Sequence, residues 1–457
     1  MTLDEYFAAL RGKRIAVVGL GVSNLPLIRL LRQYGCDVIA CDKRTKDALG
    51  DTGAELESLG CELHLGESYL DDTAFDVVFR TPGMHPNALA AFKENGARLT
   101  SEMEAFFAVC PCRVIAITGS DGKTTTSTII SELLKDAGYR VWLGGNIGTP
   151  LLDKVPQMRQ DDLVVLELSS FQLHSMECHP SVALITNISP NHLDIHPSYE
   201  DYIDAKKQIF ARQEPGDLLV LNEDNELTRS FVDEAPGDVR LFSRRNGVEN
   251  GVFCDGTTIY SVKNGEKTRL LDVSEIRLPG WHNVENYMAA YAAVRDMIGA
   301  ESFCRVARSF GGVKHRLEML RTLRGVTYCN DSIASSPTRT IAGLEAVKLK
   351  PILIAGGYDK HIPFDELGDE ICRRVKALIL TGDTAGKILD AVKTSPNYHE
   401  ELPIKVVDDF REAVLTASAM AEEGDLVLLS PGCASFDRFK NFAERGDTFR
   451  SIVMELK

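Results

Sequence analysis

Between Val114 and Thr126 the chain reads VIAITGSDGKTTT, an apolar run that passes through two glycines into a lysine and a row of threonines. Gly119 and Gly122 accept backbone angles that other residues resist, so a loop here can turn its N–H groups inward on an anion. Lys123 adds a cation and Thr124 a hydroxyl suited to a hard metal ion, while Ser120, Asp121 and Thr125 complete the loop. Together these are parts for holding the phosphates of a nucleoside triphosphate such as ATP, with Mg²⁺. A standard phosphate loop would place glycine at position 117; Ile117 stands there and belongs to the strand, so this loop is shorter than the usual pattern. A plain turn between strand and helix would account for the glycines but not for the lysine and hydroxyls beside them.

Three further groups lie where they could serve such a loop. Glu167 closes the apolar run LVVLELSS, which puts a carboxylate at the carboxyl end of a strand, a position useful to a magnesium ion. His192 and Asp194 follow another apolar run in NISPNHLDIHP. Lys206 lies on a helical segment whose apolar side is marked by Tyr202, Ile203, Ile209 and Phe210, and it falls nearer that side than Lys207 does. A lysine held close to a cavity gives up its proton readily, and the free amine can react with carbon dioxide to form a carbamate, an acquired oxygen ligand. On the residues alone, an ordinary solvated helical lysine is the default reading.

These groups need sheet edges to hold them. The residues after Thr126 place Ile129, Ile130, Leu133 and Leu134 at helical spacing, with Gly138 as a stop. Ahead of the loop, IAVVG at Ile15, DVIACD at Asp37, CELHLG at Cys61 and DVVFRTPG at Asp76 alternate with helical stretches, as in a parallel α/β sheet. The first turn of that region, from Gly19 through Gly21 to Asn24, begins like a dinucleotide fingerprint with Asp42 closing the next strand, but Asn24 stands where a third glycine belongs. After the loop come DLVVLELSS, SVALITNIS, DLLVLNED and a β-rich stretch from about Val239 to Leu278, where Asp255-Gly256 signals a hairpin. From about Val313 a third alternation runs through GVTYCN, PILIAGG, KALILTG, IKVVDD and DLVLLSPG. The fold class expected is α/β in three domains: a Rossmann-like N-terminal sheet over 1–109, a central ATP-binding α/β domain with added antiparallel strands over 110–312, and a Rossmann-like C-terminal domain over 313–457.

Bulk composition narrows the partners. In 457 residues the apolar fraction is 44% and the charged fraction 26%, ordinary for a globular chain, and no apolar run approaches the ~20 residues that cross a bilayer, so no membrane insertion is expected. The first residues, MTLDEYFAALRGKR, read as a short helix rather than a leader. Eleven cysteines without metal-like or disulfide-like spacing fit reduced thiols and a cytoplasmic setting. A formal charge of −15, with no basic cluster, disfavours nucleic acid as a partner. Nothing in the sequence demands an oligomer, and a monomer is expected.

With TGSDGKTTT, the glutamate of LELSS, the histidine of NHLD, the lysine of DAKK and the two asparagines of GWHNVEN, the chain resembles the Mur ligases, ATP-dependent amino-acid-adding enzymes of peptidoglycan synthesis, over essentially its full length. The segments GGNIGTPL, LELSSFQL and LLSPGCASFDRFKNFAERG are similar to those of the branch that adds D-glutamate to UDP-N-acetylmuramoyl-L-alanine. The resemblance implies an acyl phosphate made from ATP and the substrate carboxylate, then attack by the amine of D-glutamate. It implies Lys123, Glu167, His192 and Lys206 as catalytic residues, with Thr124, Glu167, His192 and carbamylated Lys206 as metal ligands. ATP is expected against residues 119–125, Asn283, Asn286, Arg316 and Asp331. The UDP-substrate is expected against Val22, Ser23, Asp42, Arg44, Thr81, Pro82, Gly83, Asn146 and His192, and D-glutamate against Ser335, Lys360, Ser435 and Phe442. Closure of the C-terminal domain over the nucleotide is a further implication.

Two positions depart from the family pattern. Ile333 follows Asn330-Asp331-Ser332 where many of these ligases carry a lysine, and position 191 is Asn where some carry an acid. Another Mur-type or folate-type ligase would share the central motifs, and only the flanking segments choose between them. An NAD-dependent dehydrogenase predicts a third glycine and no phosphate loop, against the sequence on both counts. A regulatory module that holds ATP without chemistry would have no need of Lys123, Glu167 and Lys206 together.

Overall fold

A computed structural model describes residues 1–21, 23–174, 176–190, 196–278, 280–359 and 362–457. Val22, Asn191, His192, Asp194 and Lys360 lie outside the described residues. The chain forms two compact units, Met1–Phe310 and Gly311–Lys457, and carries three sheets.

The first sheet is built from β1 (Ile15–Val18), β2 (Val38–Asp42), β3 (Glu62–Leu65), β4 (Val77–Arg80) and β5 (Arg98–Thr100), all parallel in the order β3-β2-β1-β4-β5. Its order reverses between β1 and β4, and the crevice at such a switch point is where open α/β sheets take ligands. The strand β1 reads as an unbroken apolar run because it is buried on both faces.

The second sheet holds β6 (Arg113–Thr118), β7 (Val141–Gly145), β8 (Leu163–Glu167), β9 (Val182–Ile185), β10 (Leu218–Asn222), β11 (Asp238–Ser243), β12 (Gly251–Cys254), β13 (Thr258–Lys263) and β14 (Glu266–Asp272), in the order β14-β13-β12-β11-β10-β9-β6-β8-β7. Only the last two pairings, β12 with β13 and β13 with β14, are antiparallel. The turn between β12 and β13 is the Asp255-Gly256 one expected: Gly256 has φ +99°, and Asp255 Oδ1 accepts the N–H groups of Thr257 and Thr258 at 3.0 and 2.9 Å. Beneath β6 and β8, Ile129, Ile130, Leu133 and Leu134 of the helix Lys123–Asp136 bury against Ile115, Ile117, Leu163 and Val165 and against the alanine-rich helix Trp281–Val294. Gly138, at φ +94°, ends the first of these helices as expected. A continuous apolar cluster runs from Leu3 and Phe7 through Val17 to Val164 and Leu166, so the first two sheets share a core.

In the second unit β15 (Glu318–Leu323) pairs antiparallel with β16 (Val326–Asn330), and β17 (Ile352–Ala355), β18 (Ala377–Leu380), β19 (Ile404–Val406) and β20 (Leu426–Leu429) complete a sheet ordered β15-β16-β20-β17-β18-β19. Arg324 and Gly325 turn β15 into β16 with φ of +51° and +77°, the two left-handed positions that a tight hairpin of matching twist requires. All eleven cysteines are free thiols. Among the described residues no helix is long and apolar enough to cross a membrane.

Candidate functional site

The phosphate loop leaves the end of β6 and enters the helix Lys123–Asp136 through Gly119 and Gly122, with φ of +145° and +79°. Both glycines are required sterically as well. A Cβ on Gly119 would stand 1.9 Å from Thr186 Oγ1, and one on Gly122 would stand 2.4 Å from Asn286 Oδ1. The loop is clamped from outside: Ser120 N–H and Asp121 N–H donate to the carbonyl and the side-chain oxygen of Asn187, at 2.9 and 3.0 Å. Thr186 Oγ1 donates to the Asp121 carbonyl at 2.6 Å, and Ser120 Oγ lies 2.9 Å from the Tyr202 hydroxyl. Two of the loop's N–H groups are therefore committed, which leaves the uncapped start of the helix as the anion-facing part. Thr124 and Thr125 sit half-buried in that first turn. Lys123 Nζ folds back onto the carbonyls of Gly119 and Ser120 at 3.0 and 2.9 Å.

Lys206 is among the most deeply buried side chains of the chain. Its Nζ donates to the Gly119 carbonyl at 2.7 Å and stands 4.6 Å above the Tyr202 ring. Burial above all, and then the charge of Lys123, push its amine well below the usual lysine range, against the opposing pull of Asp121 and Glu167. The amine held at the loop is thus shifted toward its uncharged form. This is what carbamate formation needs, and the solvated reading of Lys206 is corrected: its helix, Tyr199–Lys207, turns that side chain inward.

Glu167 is the last residue of β8 and sits in register beside Ile117 of β6. Asn146 Nδ2 donates to Glu167 Oε1 at 2.9 Å, and the Asn146 N–H donates to the Glu167 carbonyl at 2.8 Å, so these two candidates, 21 residues apart, form one unit. Glu167 Oε2 is buried with no hydrogen-bond partner among the described residues. A buried, orphaned carboxylate oxygen is a hard-oxygen donor of the kind that fits Mg²⁺. Asn283 and Asn286 are likewise buried at the loop: Asn286 Nδ2 donates to Asn283 Oδ1 at 3.3 Å, and Thr126 Oγ1 donates to Asn286 Oδ1 at 3.2 Å.

At the switch point of the first sheet, Asp42 accepts the Leu20 N–H at 2.8 Å and is gripped by Arg44 through Nε and Nη2, both at 2.9 Å. Burial opposes the Asp42 charge, yet the Arg44 guanidinium and the two backbone N–H groups outweigh it and hold the carboxyl down at about 2. Asn24, in the place of the third glycine, donates from Nδ2 to the carbonyls of Val18 and Gly19 at 3.2 and 2.8 Å. The residue that spoils the dinucleotide pattern thus ties the turn together. Thr81 follows β4 and its N–H donates to the Val18 carbonyl at 2.9 Å. Ser23 and Pro82 line one cavity with Arg80, Gln172 and Glu102. Glu102 is buried with Oε1 unpartnered among the described residues, and burial raises its carboxyl to about 7.

In the second unit Ser335, Ser435 and Phe442 each lie within three residues of Arg445 or of a group it holds; sequence reasoning missed this arginine. Arg445 is buried; its Nε donates to Ser332 Oγ at 3.1 Å, Nη1 to the Ala434 carbonyl at 3.0 Å, and Nη2 to the Ser332 and Cys433 carbonyls, each at 3.0 Å. Ser332 Oγ in turn donates to the Phe442 carbonyl at 2.8 Å. One guanidinium therefore ties the strand end before Ser335 to the loop before Ser435 and to the start of the helix Phe442–Glu455. Phe442 is exposed and Ser435 buried. Asp331 accepts from Ser430 Oγ at 2.7 Å and from the Leu317 N–H at 3.2 Å, and burial lifts its carboxyl to about 6. Arg316 is exposed one residue after His315, whose φ is +64°. At the departure, Arg339 reaches back to the carbonyl of Ile333 at 3.5 Å.

Comparison with known proteins adds an independent line. Residues 117–294 match the family model of the Mur ligase middle domain, and residues 315–433 match that of the Mur ligase, glutamate ligase domain. The chain is 50% identical over 459 residues to the UDP-N-acetylmuramoylalanine–D-glutamate ligase of Clostridium novyi, covering 100% of this chain and 99% of that protein. It is likewise 50% identical over 461 residues to the ligase of the same name from Ruminiclostridium cellulolyticum, again covering 100% and 99%. Among solved structures, the UDP-N-acetylmuramate–alanine ligase of Thermotoga maritima aligns with a TM-score of 0.54 at 18% identity, over 97% of this chain and 100% of that one, which shows a common fold.

Proposed function

The chain belongs to the Mur ligase family and is a carbon–nitrogen ligase of peptidoglycan precursor synthesis, and from that premise we propose how its own residues carry out the D-glutamate-adding step. The observation that carries the proposal is the convergence of Lys123 and Lys206 on the Gly119 carbonyl, next to the half-satisfied carboxylate of Glu167.

The carboxylate of UDP-N-acetylmuramoyl-L-alanine attacks the γ-phosphorus of ATP; a P–O bond forms, the β–γ bridging bond breaks, and ADP leaves. The amine of D-glutamate then attacks the acyl carbon, a C–N bond forms, and inorganic phosphate departs as the amine releases its proton. Negative charge crowds the first step, so the contribution asked of the protein is positioning and charge neutralisation. Lys123 supplies the mobile cation once its Nζ turns from the loop carbonyls to the phosphates. Thr124 and Glu167 would hold one Mg²⁺, and His192 and the carbamate of Lys206 a second, which would together neutralise phosphoryl oxygens there. Asn146 fixes Glu167 and faces the UDP-substrate region. ATP lies against residues 119–125 with Asn283, Asn286, Arg316 and Asp331.

The labour divides by sheet: 1–109 for the UDP moiety through Val22, Ser23, Asp42, Arg44, Thr81, Pro82 and Gly83, 110–312 for ATP, and 313–457 for D-glutamate through Ser335, Lys360, Ser435 and Phe442. The enzyme works as a monomer in the cytoplasm. The test is phosphate release from ATP and Mg²⁺ with UDP-N-acetylmuramoyl-L-alanine, comparing D-glutamate, L-glutamate, L-alanine, L-lysine and meso-diaminopimelate. Release with D-glutamate alone is expected. Release with another amino acid would keep the ligase chemistry and overturn the reading of the C-terminal site.

A further inference from the structure

Away from the phosphate loop, three imidazoles close around one carboxylate. His85 follows β4, His174 follows the short helix Ser170–Leu173, and Asp201 lies in the first turn of the helix Tyr199–Lys207, so three separate segments of the first unit meet. One donor atom from each of His85, His174 and Asp201 lies within 4.8 Å of the other two. His174 Nε2 is 2.9 Å from Asp201 Oδ1, His85 Nε2 is 3.7 Å from Asp201 Oδ2, and the two rings stand edge to face with centroids 4.4 Å apart. His196, almost wholly buried, holds the same carboxylate through Nδ1 at 2.6 Å and rests its Nε2 against the Ser170 hydroxyl at 3.0 Å. Arg80 fixes the backbone behind His174 by donating to the carbonyls of Phe171 and His174.

A self-sufficient hydrogen-bonded network would pair its ring nitrogens. Here His85 Nε2 and His174 Nδ1 are buried with no hydrogen-bond partner among the described residues. Tetrahedral ligands of a zinc ion lie roughly 3.3 Å from one another, so the observed cluster needs only a small contraction to bind one.

We propose that His85, His174 and Asp201 bind a borderline divalent transition-metal ion, for which Zn²⁺ is the best match to two imidazoles and a carboxylate, with His196 orienting the carboxylate from behind. The ions Mg²⁺ and Ca²⁺ prefer all-oxygen sets and compete poorly here. Ligation through His85 Nε2 moves the ring proton to Nδ1 and releases the 3.2 Å contact with the Asn87 N–H, a long capping bond that coordination outweighs. Because Asp201 shares its helix with Lys206, the ion ties the loop carrying His85 to the helix that delivers Lys206 to the phosphate loop.

The test titrates Zn²⁺ into the full-length protein in excess Mg²⁺ against a chromophoric chelator, then repeats it with His85→Ala and with His174→Gln, each checked for folding by circular dichroism. The expected result is one tight equivalent in the unsubstituted protein, an affinity lower by about tenfold or more in each variant, and a rise in unfolding temperature on Zn²⁺ addition that the variants lack. Absence of a tight equivalent, or one that survives either substitution in a folded protein, overturns the proposal.

Discussion

Lys206 Nζ lies 2.7 Å from the carbonyl oxygen of Gly119, an oxygen that also accepts from Lys123 Nζ at 3.0 Å. Two amines on one carbonyl cannot both stay comfortably charged, and the buried one yields: Lys206 is held well below the usual lysine range by burial and by the charge of Lys123. The proposed carbamate depends on that lowered amine: carbon dioxide would add to its nitrogen, a proton would leave, and a carboxylate would result.

It follows that Lys206→Ala loses activity by about a thousandfold, the scale of removing one electrostatic contributor to a charged transition state. Small carboxylic acids such as acetate or formate should restore part of that loss by occupying the vacated space as a carboxylate. Rates measured across a titration of acetate check this; a folded variant that shows no recovery counts against the carbamate.

Lys123 acts differently. It is half-buried and its Nζ donates to the carbonyls of Gly119 and Ser120 in its own loop, and Lys123→Ala should leave the fold intact, with an unfolding temperature within a few degrees of the parent. Phosphate release should nevertheless fall by about a thousandfold or more. Near-normal turnover would remove this lysine from the phosphoryl transfer.

The phosphate loop was legible because its chemistry is local: Gly119, Gly122 and Lys123 are neighbours, and both glycines show the backbone angles their type suggests. What clamps the loop was not legible, because Thr186, Asn187 and Tyr202 reach it from 65 to 82 residues away and carry no pattern of their own. The same holds for Arg445, which joins Ser332 across 113 residues and reads in the sequence as one more helical cation. Strands show a similar division. Buried β1, β8 and β20 announce themselves as apolar runs, whereas β5, β7 and β15 lie at sheet edges and carry broken runs; edge position alone does not hide a strand, since β3 and β19 are edges that the sequence pattern marks. Lys206 shows the reverse case: helical periodicity placed it near the buried side, but only the tertiary packing of Tyr202 and the loop decided that it lies inside.

Arg445 offers a test of positioning without contact. Lysine at 445 keeps a charge but cannot span the Ser332, Cys433 and Ala434 acceptors that the guanidinium bridges. Arg445→Lys should raise the KM for D-glutamate by about tenfold, since each lost buried hydrogen bond is worth on the order of 1 kcal/mol, and leave the KM for ATP unchanged. Initial rates with each substrate varied in turn decide it; an equal rise in both constants would mean general loosening of the domain.

Glu102 supplies a pH dependence of stability whose sign is fixed by its surroundings. The carboxyl sits in the cavity that Ser23 and Pro82 line, with Oε1 unpartnered among the described residues, and burial raises it from the ordinary 4.5 to about 7, the Leu152 backbone only partly offsetting this. In the unfolded chain the group ionises first, so between pH 4.5 and 7 the native state holds a proton that the unfolded state has lost. Stability therefore falls as pH rises through that window, by about 3 kcal/mol in full, and stays low above it. Glu102→Gln keeps the shape and removes the titration. The variant should be more stable than the parent at pH 8, and the gap should close toward pH 5, as followed by urea unfolding at each pH. A constant gap would show that Glu102 finds a partner for its charge in the folded protein.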